Sequence, residues 1–231
     1  MKKIPLNRAL SKLGVLSRTQ ATGAILAGRV RVGGRLIRNP LTLVAPGQAH
    51  IELDGQGTRA AAWRTILFHK PRGVVTTRTD PEGRPTIYDV LGDAGQGLVA
   101  VGRLDRATTG LLLLTSDTEL ANWLTDPANG VPRLYVVTVR GRVADADLRR
   151  LTGDLTLRKA SARESHLLVE LREGKNRQVR RMFADIEHEV TSLKRVRFGG
   201  LDLGPLQAGK YREILHKEIA KAFPGAPRRE V

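Results

Sequence analysis

The sequence predicts an α+β protein with two domains and a mixed sheet in the larger one. Short apolar runs typical of strands are interspersed with amphipathic stretches, without the regular strand–helix–strand alternation of parallel α/β folds. An aperiodic stretch rich in Gly and Ala, residues 55–64, has the composition of a linker. The 231 residues are enough for a small and a medium domain, each with its own core.

Residues 1–54 are predicted to form a unit of two helices followed by hairpins. Apolar residues at helical spacing predict a first helix from Leu6 to Leu13, which Gly14 ends. Ser17 is placed to cap a second helix, which runs to Gly28. Short strands are expected at 30–32, 36–37, 43–44 and 50–53, with the pairs Gly33-Gly34 and Pro46-Gly47 as turns.

Residues 65–231 are predicted to form the larger domain. Its strands are expected at 65–68, 73–77, 98–101, 111–115, 135–139, 167–171, 192–198 and 211–214. Its helices are expected at 86–91, 118–125, 144–151, 176–186 and 215–222.

The charge of the chain favours a nucleic-acid partner. The formal net charge is +16, and half of it comes from residues 1–60, where ten basic side chains face two acidic ones. Most of the basic residues are Arg, which binds phosphate through a planar fork and stacks on bases. A surface selected only for solubility is a weaker explanation, because acidic residues serve that purpose better.

Several function classes are excluded by what the sequence lacks. Without cysteine there is no disulfide, thiolate metal site or Cys nucleophile. The five histidines are scattered, so no metal site is expected, and Walker A, GxGxxG and GxSxG motifs are absent. No apolar run reaches the ~20 residues of a membrane span, and no signal-peptide core follows the first Met. We therefore expect a cytoplasmic protein without a membrane partner.

A first candidate site is the segment GRLDRATTGLLLLTSD at 102–117. It places Asp105 in a glycine-bounded loop between two apolar strands, next to Arg103 and Arg106. Neighbouring arginines favour the ionised form of a carboxylate, which can then act as a nucleophile or a base. The same pattern also occurs where a carboxylate caps a turn and pairs with one of these arginines. From the pattern alone, that structural role is the more common one.

Two further clusters stand out. In EGKNRQVRRMF at 173–183, four cations crowd the predicted start of a helix, where they oppose the helix dipole unless an anion offsets them. RNA phosphate or an acidic catalytic residue would serve, and a solvated basic face is the alternative. In RLYVVTV at 133–139, Tyr135 begins a strand, where its ring could stack on an extruded base or belong to the core.

Together these motifs resemble the pseudouridine synthase family, in its RsuA/RluB-type branch. The segment 102–117 is similar to the block that carries the family's catalytic Asp, and KPRGVV at 70–75 is similar to its upstream strand-turn. The segments 133–135 and 173–183 match its Tyr motif and its basic motif, and residues 4–40 resemble an S4 RNA-binding domain. The departures are small: His69, Ser116 and Thr118 replace residues more common in the family.

The resemblance implies a role for each candidate residue. Asp105 would be the catalytic carboxylate and Tyr135 would stack on the target uracil. Arg180 would pair with Asp105, whose carboxylate would be the anion that offsets the cations at the helix start. Arg103 and Leu193 would also contact the substrate. The RNA contacts of the catalytic domain would be Lys175, Arg177 and Arg181, and those of the S4-like domain would be Arg8, Lys12, Arg18, Arg29 and Arg31.

The resemblance also implies the organisation, reaction and partner. An S4-like domain at 1–54 and a linker at 55–64 would precede a synthase domain at 65–231 with a mixed, largely antiparallel sheet. The expected reaction is cofactor-free isomerisation of uridine in ribosomal RNA, as free RNA or in an assembly intermediate, by a monomer. The similarity at 132–141 and 176–183 favours the large-subunit RNA. The alternatives are a non-catalytic S4-containing RNA-binding or ribosome-assembly factor, and a DNA-binding protein, which only the charge supports.

Overall fold

The computed structural model describes residues 3–45, 49–58 and 63–227. The chain divides into two compact units. Of the described residues, the smaller unit contains those up to Arg64 and Ser116–Thr118. The larger unit contains Thr65–Thr115 and the described chain from Glu119 to Pro227. No helix of the described part is long and apolar enough to cross a membrane.

The smaller unit has the predicted order of two helices and then hairpins. Its helices are α1 (Leu6–Lys12) and α2 (Arg18–Leu26). Its strands are β1 (Ile4–Pro5), β2 (Val30–Val32), β3 (Arg35–Ile37), β4 (Leu43–Val44), β5 (Ile51–Leu53) and β6 (Gln56–Gly57). Four of these strands form an antiparallel sheet in the order β3-β2-β5-β6, and β1 pairs with β4.

Local sequence explains the start and end of α2. The Ser17 side chain accepts a hydrogen bond from the backbone N–H of Gln20, and the Gln20 side chain accepts one from the backbone N–H of Ser17. This reciprocal capping box satisfies two donors that the helix itself cannot. Gly28 follows the helix with a positive φ of 72°, which glycine adopts without steric cost. The predicted cap and stop are both confirmed.

The larger unit contains nine strands and five α-helices in its described part. The strands are β7 (Thr65–Lys70), β8 (Val99–Ala100), β9 (Thr109–Thr115), β10 (Arg133–Arg140), β11 (Asp154–Ala160), β12 (Glu164–Leu171), β13 (Val190–Phe198), β14 (Leu201–Asp202) and β15 (Tyr211–Glu213). The helices are α3 (Ile87–Leu91), α4 (Thr118–Thr125), α5 (Asp145–Leu148), α6 (Gln178–Ala184) and α7 (His216–Ala222).

All nine strands belong to one sheet, whose main order is β11-β12-β10-β13-β9-β7-β15. Every described pair in it is antiparallel except β9 with β13. The predicted α+β class with a mixed, largely antiparallel sheet is therefore confirmed. The single parallel contact joins Thr109 and Gly110 to Lys194 and Arg195, at the point where β9 begins.

The centre of this sheet is buried on both faces. In β9, Leu111 and Leu113 pack with α4 and α7, whereas Leu112 and Leu114 belong to a second cluster that includes residues of α3. A third cluster lies between α6 and the strands β10, β12 and β13. Because β9 is held from both sides, the loop that precedes it is anchored to the most rigid part of the unit.

Some element predictions were wrong. Residues 73–77 form no strand, since only Val75 makes an isolated bridge, to Thr86. Strand β11 was missed because its side chains alternate between half-buried and exposed and it lies at the sheet edge. The predicted linker begins with strand β6, and its residues 59–62 lie outside the described part, as does the predicted turn at Pro46-Gly47. Helix α6 is shorter than the predicted 176–186.

Candidate active site

Asp105 lies in a turn that leads into β9. The backbone N–H of Thr108 donates to the carbonyl of Asp105 at 2.9 Å, which closes the turn. The Asp105 side chain is 29% exposed, so the carboxylate is partly accessible to solvent. It lines a cleft of about 350 Å³ within the larger unit.

Contacts behind the turn fix its backbone. Thr76 donates through Oγ1 to the carbonyl of Leu104 at 2.8 Å and accepts from the Leu104 N–H at 3.3 Å. The backbone N–H of Gly73 donates to the carbonyl of Arg106 at 2.8 Å. These bonds hold the residues on both sides of Asp105, so the carboxylate is presented from a preorganised loop.

A buried cation lies beneath the same turn. Lys70, at the end of β7, is fully buried, and its Nζ donates to the carbonyls of Thr108 at 2.9 Å and Pro71 at 3.0 Å. Burial lowers the pKa of the Lys70 ammonium to about 8, and the charge of Asp105 opposes this shift. In the sequence, Lys70 stands out only as part of the segment 70–75, because its burial depends on the packing of β7 beside β9.

The basic segment before α6 supplies the ion pair of Asp105. Arg177 Nη1 lies 3.9 Å from Asp105 Oδ2. Arg177 precedes α6 with a left-handed backbone, φ 50° and ψ 30°, a conformation that non-glycine residues seldom adopt. Lys175 lies nearby but pairs with Glu173 at 2.8 Å, and Arg181 is exposed.

The expected ion pair between Arg180 and Asp105 is not formed among the described residues. Arg180 lies in the first turn of α6, and its Nη1 donates to the carbonyl of Val190 at 2.8 Å. Burial and the charge of Arg177 lower the pKa of Arg180, and the charge of Asp105 opposes that shift. Among the described residues, the close contact with Asp105 is made by Arg177, which lies just before the first turn of α6.

Tyr135 and Leu193 lie on the two strands that form the other wall of the cleft. Both side chains line it together with Asp105, and Arg103 lies exposed at its edge. Tyr135 is half-buried and packs against two of the apolar clusters, so part of its ring remains accessible. The cleft thus combines one carboxylate, one accessible ring and an apolar wall.

Two buried arginines in the cleft were not among the residues predicted from the sequence. Arg133 and Arg195 are 6% and 3% exposed, and their Cζ atoms lie 5.1 Å and 5.0 Å from the centroid of the Phe198 ring. Burial lowers the pKa of Arg133, and the charge of Arg195 lowers it further. Charged side chains in strands usually face solvent, so composition alone gave no signal for either residue.

The described residues contain no group of three or more His, Cys, Asp or Glu side chains that could hold a metal ion. Five cations line the cleft together with Asp105. They are Arg103, Arg133, Lys175, Arg177 and Arg195. This arrangement suits a polyanionic substrate whose reacting part is held next to one carboxylate.

The predicted RNA contacts of the smaller unit occupy different environments. Arg8 and Lys12 lie one turn apart on α1, and Arg8 and Arg18 are exposed. Arg29 pairs with Asp54 at 2.6 Å, and Arg31 donates to the carbonyl of Gly34 at 3.0 Å. All five remain candidates, and the side chains of Arg8, Lys12 and Arg18 make no hydrogen bond or ion pair to other described residues.

Each of the two units matches a known protein family. Residues 64–185 match the RNA pseudouridylate synthase family, and residues 4–49 match the S4 domain. The chain is similar over 95% of its length to a crystal structure of a pseudouridylate synthase, with a TM-score of 0.63 and 26% identity, and it covers 99% of that chain.

Curated relatives extend over most of the sequence. An uncharacterized RNA pseudouridine synthase of Aquifex aeolicus is 34% identical, with 96% of this chain and 95% of the relative covered. The ribosomal large subunit pseudouridine synthase B of Bacillus subtilis is 34% identical, with 94% of both covered. The protein of the same name from Pseudomonas aeruginosa is 39% identical over 93% of this chain, which spans 60% of that relative.

These matches decide between the alternatives that the sequence left open. A DNA-binding protein was supported only by charge, and a non-catalytic assembly factor is disfavoured by a synthase match that contains Asp105 and Tyr135 within its residues 64–185. The cleft also retains its carboxylate, its accessible ring and its cations. The chain therefore belongs to the RNA pseudouridylate synthase family and carries an S4 domain ahead of its synthase unit.

Proposed function

We propose that this protein converts one uridine of large-subunit ribosomal RNA to pseudouridine, with Asp105 as the catalytic carboxylate. The observation that carries the proposal is the position of Asp105. Its carboxylate is only 29% exposed, lines the cleft beside Tyr135 and Leu193, and is paired with Arg177. A carboxylate that served only to cap the turn would not need a cleft sized for a nucleotide.

The proposed reaction uses side chains alone. The N1–C1′ bond of the target uridine breaks, the uracil turns within the cleft, and a C5–C1′ bond forms while C5 loses its proton. Asp105 acts at the reacting nucleotide through its carboxylate, which lies 3.9 Å from the Arg177 guanidinium. Tyr135 stacks on the uracil and Leu193 packs against it, which holds the base during its rotation.

A base inside a helix must leave its stack to reach Asp105, which costs a few kcal/mol. We propose that phosphate contacts offset this cost. In the synthase unit they come from Arg103, Lys175, Arg177 and Arg181, which are exposed. In the S4 domain they come from Arg8, Lys12, Arg18, Arg29 and Arg31. Arg180 contributes to the field at Asp105 from longer range.

The choice of large-subunit RNA rests on the names of the relatives from Bacillus subtilis and Pseudomonas aeruginosa. Free RNA and an assembly intermediate are both chemically suitable substrates, because each presents phosphates to a basic surface. A substrate of this kind also favours a cytoplasmic location. We expect the protein to act as a monomer.

The central experiment maps pseudouridine in both ribosomal RNAs by carbodiimide labelling and primer extension. Cells lacking the protein should miss one pseudouridine of the large-subunit RNA, and the wild-type chain should restore it. Asp105→Asn should not restore it, although the purified variant still binds the RNA. Asp154→Asn is a matched control, because Asp154 is exposed on the edge strand β11.

If no pseudouridine depends on the protein, the enzymatic proposal is wrong. A missing site in the small-subunit RNA would correct the substrate and leave the reaction intact. Loss of RNA binding together with activity in Asp105→Asn would show that Asp105 is structural.

The S4 contacts are tested by the salt dependence of RNA binding. Each lost phosphate contact lowers the slope of log K against log salt concentration by about 0.7–0.9. Arg8→Gln combined with Arg18→Gln should therefore flatten the slope by about 1.4–1.8 while the synthase unit is unaltered. An unchanged slope would remove these two residues from the RNA interface.

A further inference from the structure

Arg195 has hydrogen-bonding capacity that the protein does not use. It lies in β13, is 3% exposed and lines the cleft. Its Nε donates to the carbonyl of Leu111 at 2.7 Å, and this is its only hydrogen bond to the described residues. Its Nη2 is buried without a partner. A buried guanidinium with free donors carries a large desolvation cost unless a ligand satisfies it.

Arg133, the other buried arginine, does not share this property. Its Nη1 donates to the carbonyls of Val131 and Arg172, and its Nη2 donates to the carbonyl of Leu124. Both guanidinium groups lie against the ring of Phe198, where each can gain from the π-electrons of the ring. The Arg133 guanidinium is therefore held by the protein itself. Of these two buried arginines, Arg195 is the one whose guanidinium has an N–H donor without a partner.

The backbone pairing places Arg195 next to the residues proposed to act on the base. Arg195 is directly opposite Tyr135 in the β10–β13 ladder and is paired with Gly110 in β9, five residues after Asp105. RNA continues on both sides of its target nucleotide, so its phosphates remain at the mouth of a cleft while the base enters. A side chain as deeply buried as Arg195 therefore faces the base and not the backbone.

We propose that Arg195 donates a hydrogen bond to a carbonyl oxygen of the target uracil and stabilises the negative charge that the ring gains during the reaction. When the N1–C1′ bond breaks heterolytically, its electron pair stays on the uracil and spreads to O2 and O4. If Asp105 instead adds to C6, the charge passes to C5 and O4 as an enolate. The guanidinium remains protonated throughout, and no proton leaves it.

This role of Arg195 rests on the proposed function, and it bears on the choice of base as well as on the rate. A donor aimed at a uracil carbonyl stabilises charge in a water-poor site, where such hydrogen bonds are strongest. If the oxygen is O4, the same donor disfavours cytosine, which presents an amino group at that position. Arg195 would then contribute to the choice of base as well as to the rate.

The first test compares wild type with Arg195→Met on an RNA fragment that contains the mapped uridine. Under single-turnover conditions the rate should fall by about 10²–10³-fold, the usual effect of losing one such donor. Affinity for the RNA should change less than about 3-fold, and its salt slope should stay the same. Arg197→Met is the matched control, because Arg197 lies two residues away in β13, is exposed and pairs with Asp202.

The second test uses RNAs with 2-thiouridine or 4-thiouridine at the target, read by nucleoside chromatography after digestion. Sulfur accepts hydrogen bonds weakly, so one of these substitutions should slow wild type at least 10-fold more than it slows Arg195→Met. This non-additivity isolates the contact between Arg195 and the substituted atom. Arg195→Lys, whose single nitrogen cannot bind both Leu111 and the base, replaces Arg195→Met if that variant loses its native circular dichroism.

Equal effects of both sulfur substitutions in wild type and variant would overturn the proposal. A salt slope reduced by about 0.7–0.9 in Arg195→Met would also overturn it and assign Arg195 to a phosphate. Failure of the proposed function itself is distinguishable, since wild type would then produce no pseudouridine from the unmodified fragment.

Discussion

Arg177 Nη1 lies 3.9 Å from Asp105 Oδ2, and Arg177 reaches this position with a left-handed backbone. A non-glycine residue in that conformation costs about 1–3 kcal/mol. The same residue is 56% exposed on its side chain, so its ion pair contributes little to folding. The strained backbone of Arg177 therefore lies at the candidate site. It accompanies the placement of the Arg177 guanidinium next to the proposed catalytic carboxylate.

Replacing Arg177 should separate stability from activity. Arg177→Gly should raise the melting temperature by about 2–4 °C, because glycine adopts the left-handed conformation freely. The same variant should lower the single-turnover rate about 2–5-fold through loss of an exposed ion pair. Arg177→Ala should lose the same activity without gaining stability.

Glu187 provides the control for Arg177. It is an exposed non-glycine residue with a positive φ of 62°, and it lies after α6, away from the residues that line the cleft. Glu187→Gly should raise stability by a similar amount and leave the rate unchanged. An equal loss of rate in both glycine variants would mean that flexibility near α6, and not the Arg177 cation, explains the effect.

The preorganised turn around Asp105 depends on Thr76. Thr76→Val keeps the shape of the side chain but removes both hydrogen bonds to the backbone of Leu104. Loss of these partners should cost about 1–3 kcal/mol in the free energy of unfolding, measured by urea denaturation. We also expect a slower rate with unchanged RNA affinity, since Asp105 would no longer be fixed.

Thr77→Val is the matched control for Thr76, because Thr77 bonds only to the carbonyl of Thr79 in an exposed turn. It should change stability by less than about 0.5 kcal/mol. A Thr76 variant with wild-type rate and stability would show that the turn holds Asp105 without these bonds.

The elements predicted correctly are those that depend on residues close together in the chain. The strand that was missed depends on pairing with a neighbouring strand. The helix cap at Ser17 and a strand at 167–171 were predicted, because each depends on residues close in the chain. Residues 73–77 were predicted as a strand from their composition, yet Thr76 directs its hydrogen bonds to Leu104 instead of a sheet partner. Strand β11 exists because β12 provides an edge for it.

The residues of the candidate site also fall into those predicted from the sequence and those found only in the structure. Asp105 and Tyr135 stand in motifs that resemble a known family, so the sequence identified them without a structure. The resemblance assigned Arg180 as the partner of Asp105. Nothing in the sequence indicates that Arg177 adopts a left-handed backbone. Arg195 was missed because its orientation follows from irregular pairing of β10 with β13, where the register shifts twice.

Titration of Lys70 should make both the stability and the activity of the protein depend on pH above about 8. Its pKa is lowered from 10.5 to about 8 by burial, so the folded protein releases this proton before the unfolded chain does. Between pH 8 and 10.5 the unfolded state binds more protons, and the stability contributed by this group therefore rises with pH. Relative to Lys70→Met, the wild-type free energy of unfolding should increase across this window in denaturant titrations.

The activity should move in the opposite direction. Deprotonation removes a positive charge close to Asp105, so the wild-type kcat/KM should fall above about pH 8, and Lys70→Met should lack this limb. Lys210→Met, at an exposed position, controls for general loss of positive charge. A wild-type pH profile that coincides in shape with that of Lys70→Met would show that Lys70 does not titrate in this range.

Gly110 should be the least replaceable residue of the site. Its φ is 108°, and a Cβ built there would lie 2.2 Å from the carbonyl oxygen and 2.6 Å from the nitrogen of Arg195. Because backbone atoms of β13 cannot move aside without breaking the parallel contact to β9, Gly110→Ala should lower the free energy of unfolding by more than about 4 kcal/mol. Gly130→Ala, at φ 56° with nothing within 4 Å, should cost only about 1–2 kcal/mol for the left-handed conformation. Similar melting temperatures for the two variants would mean that β9 and β13 can separate at this point, and that the close approach that sets Arg195 beside the Asp105 turn is not required for the fold.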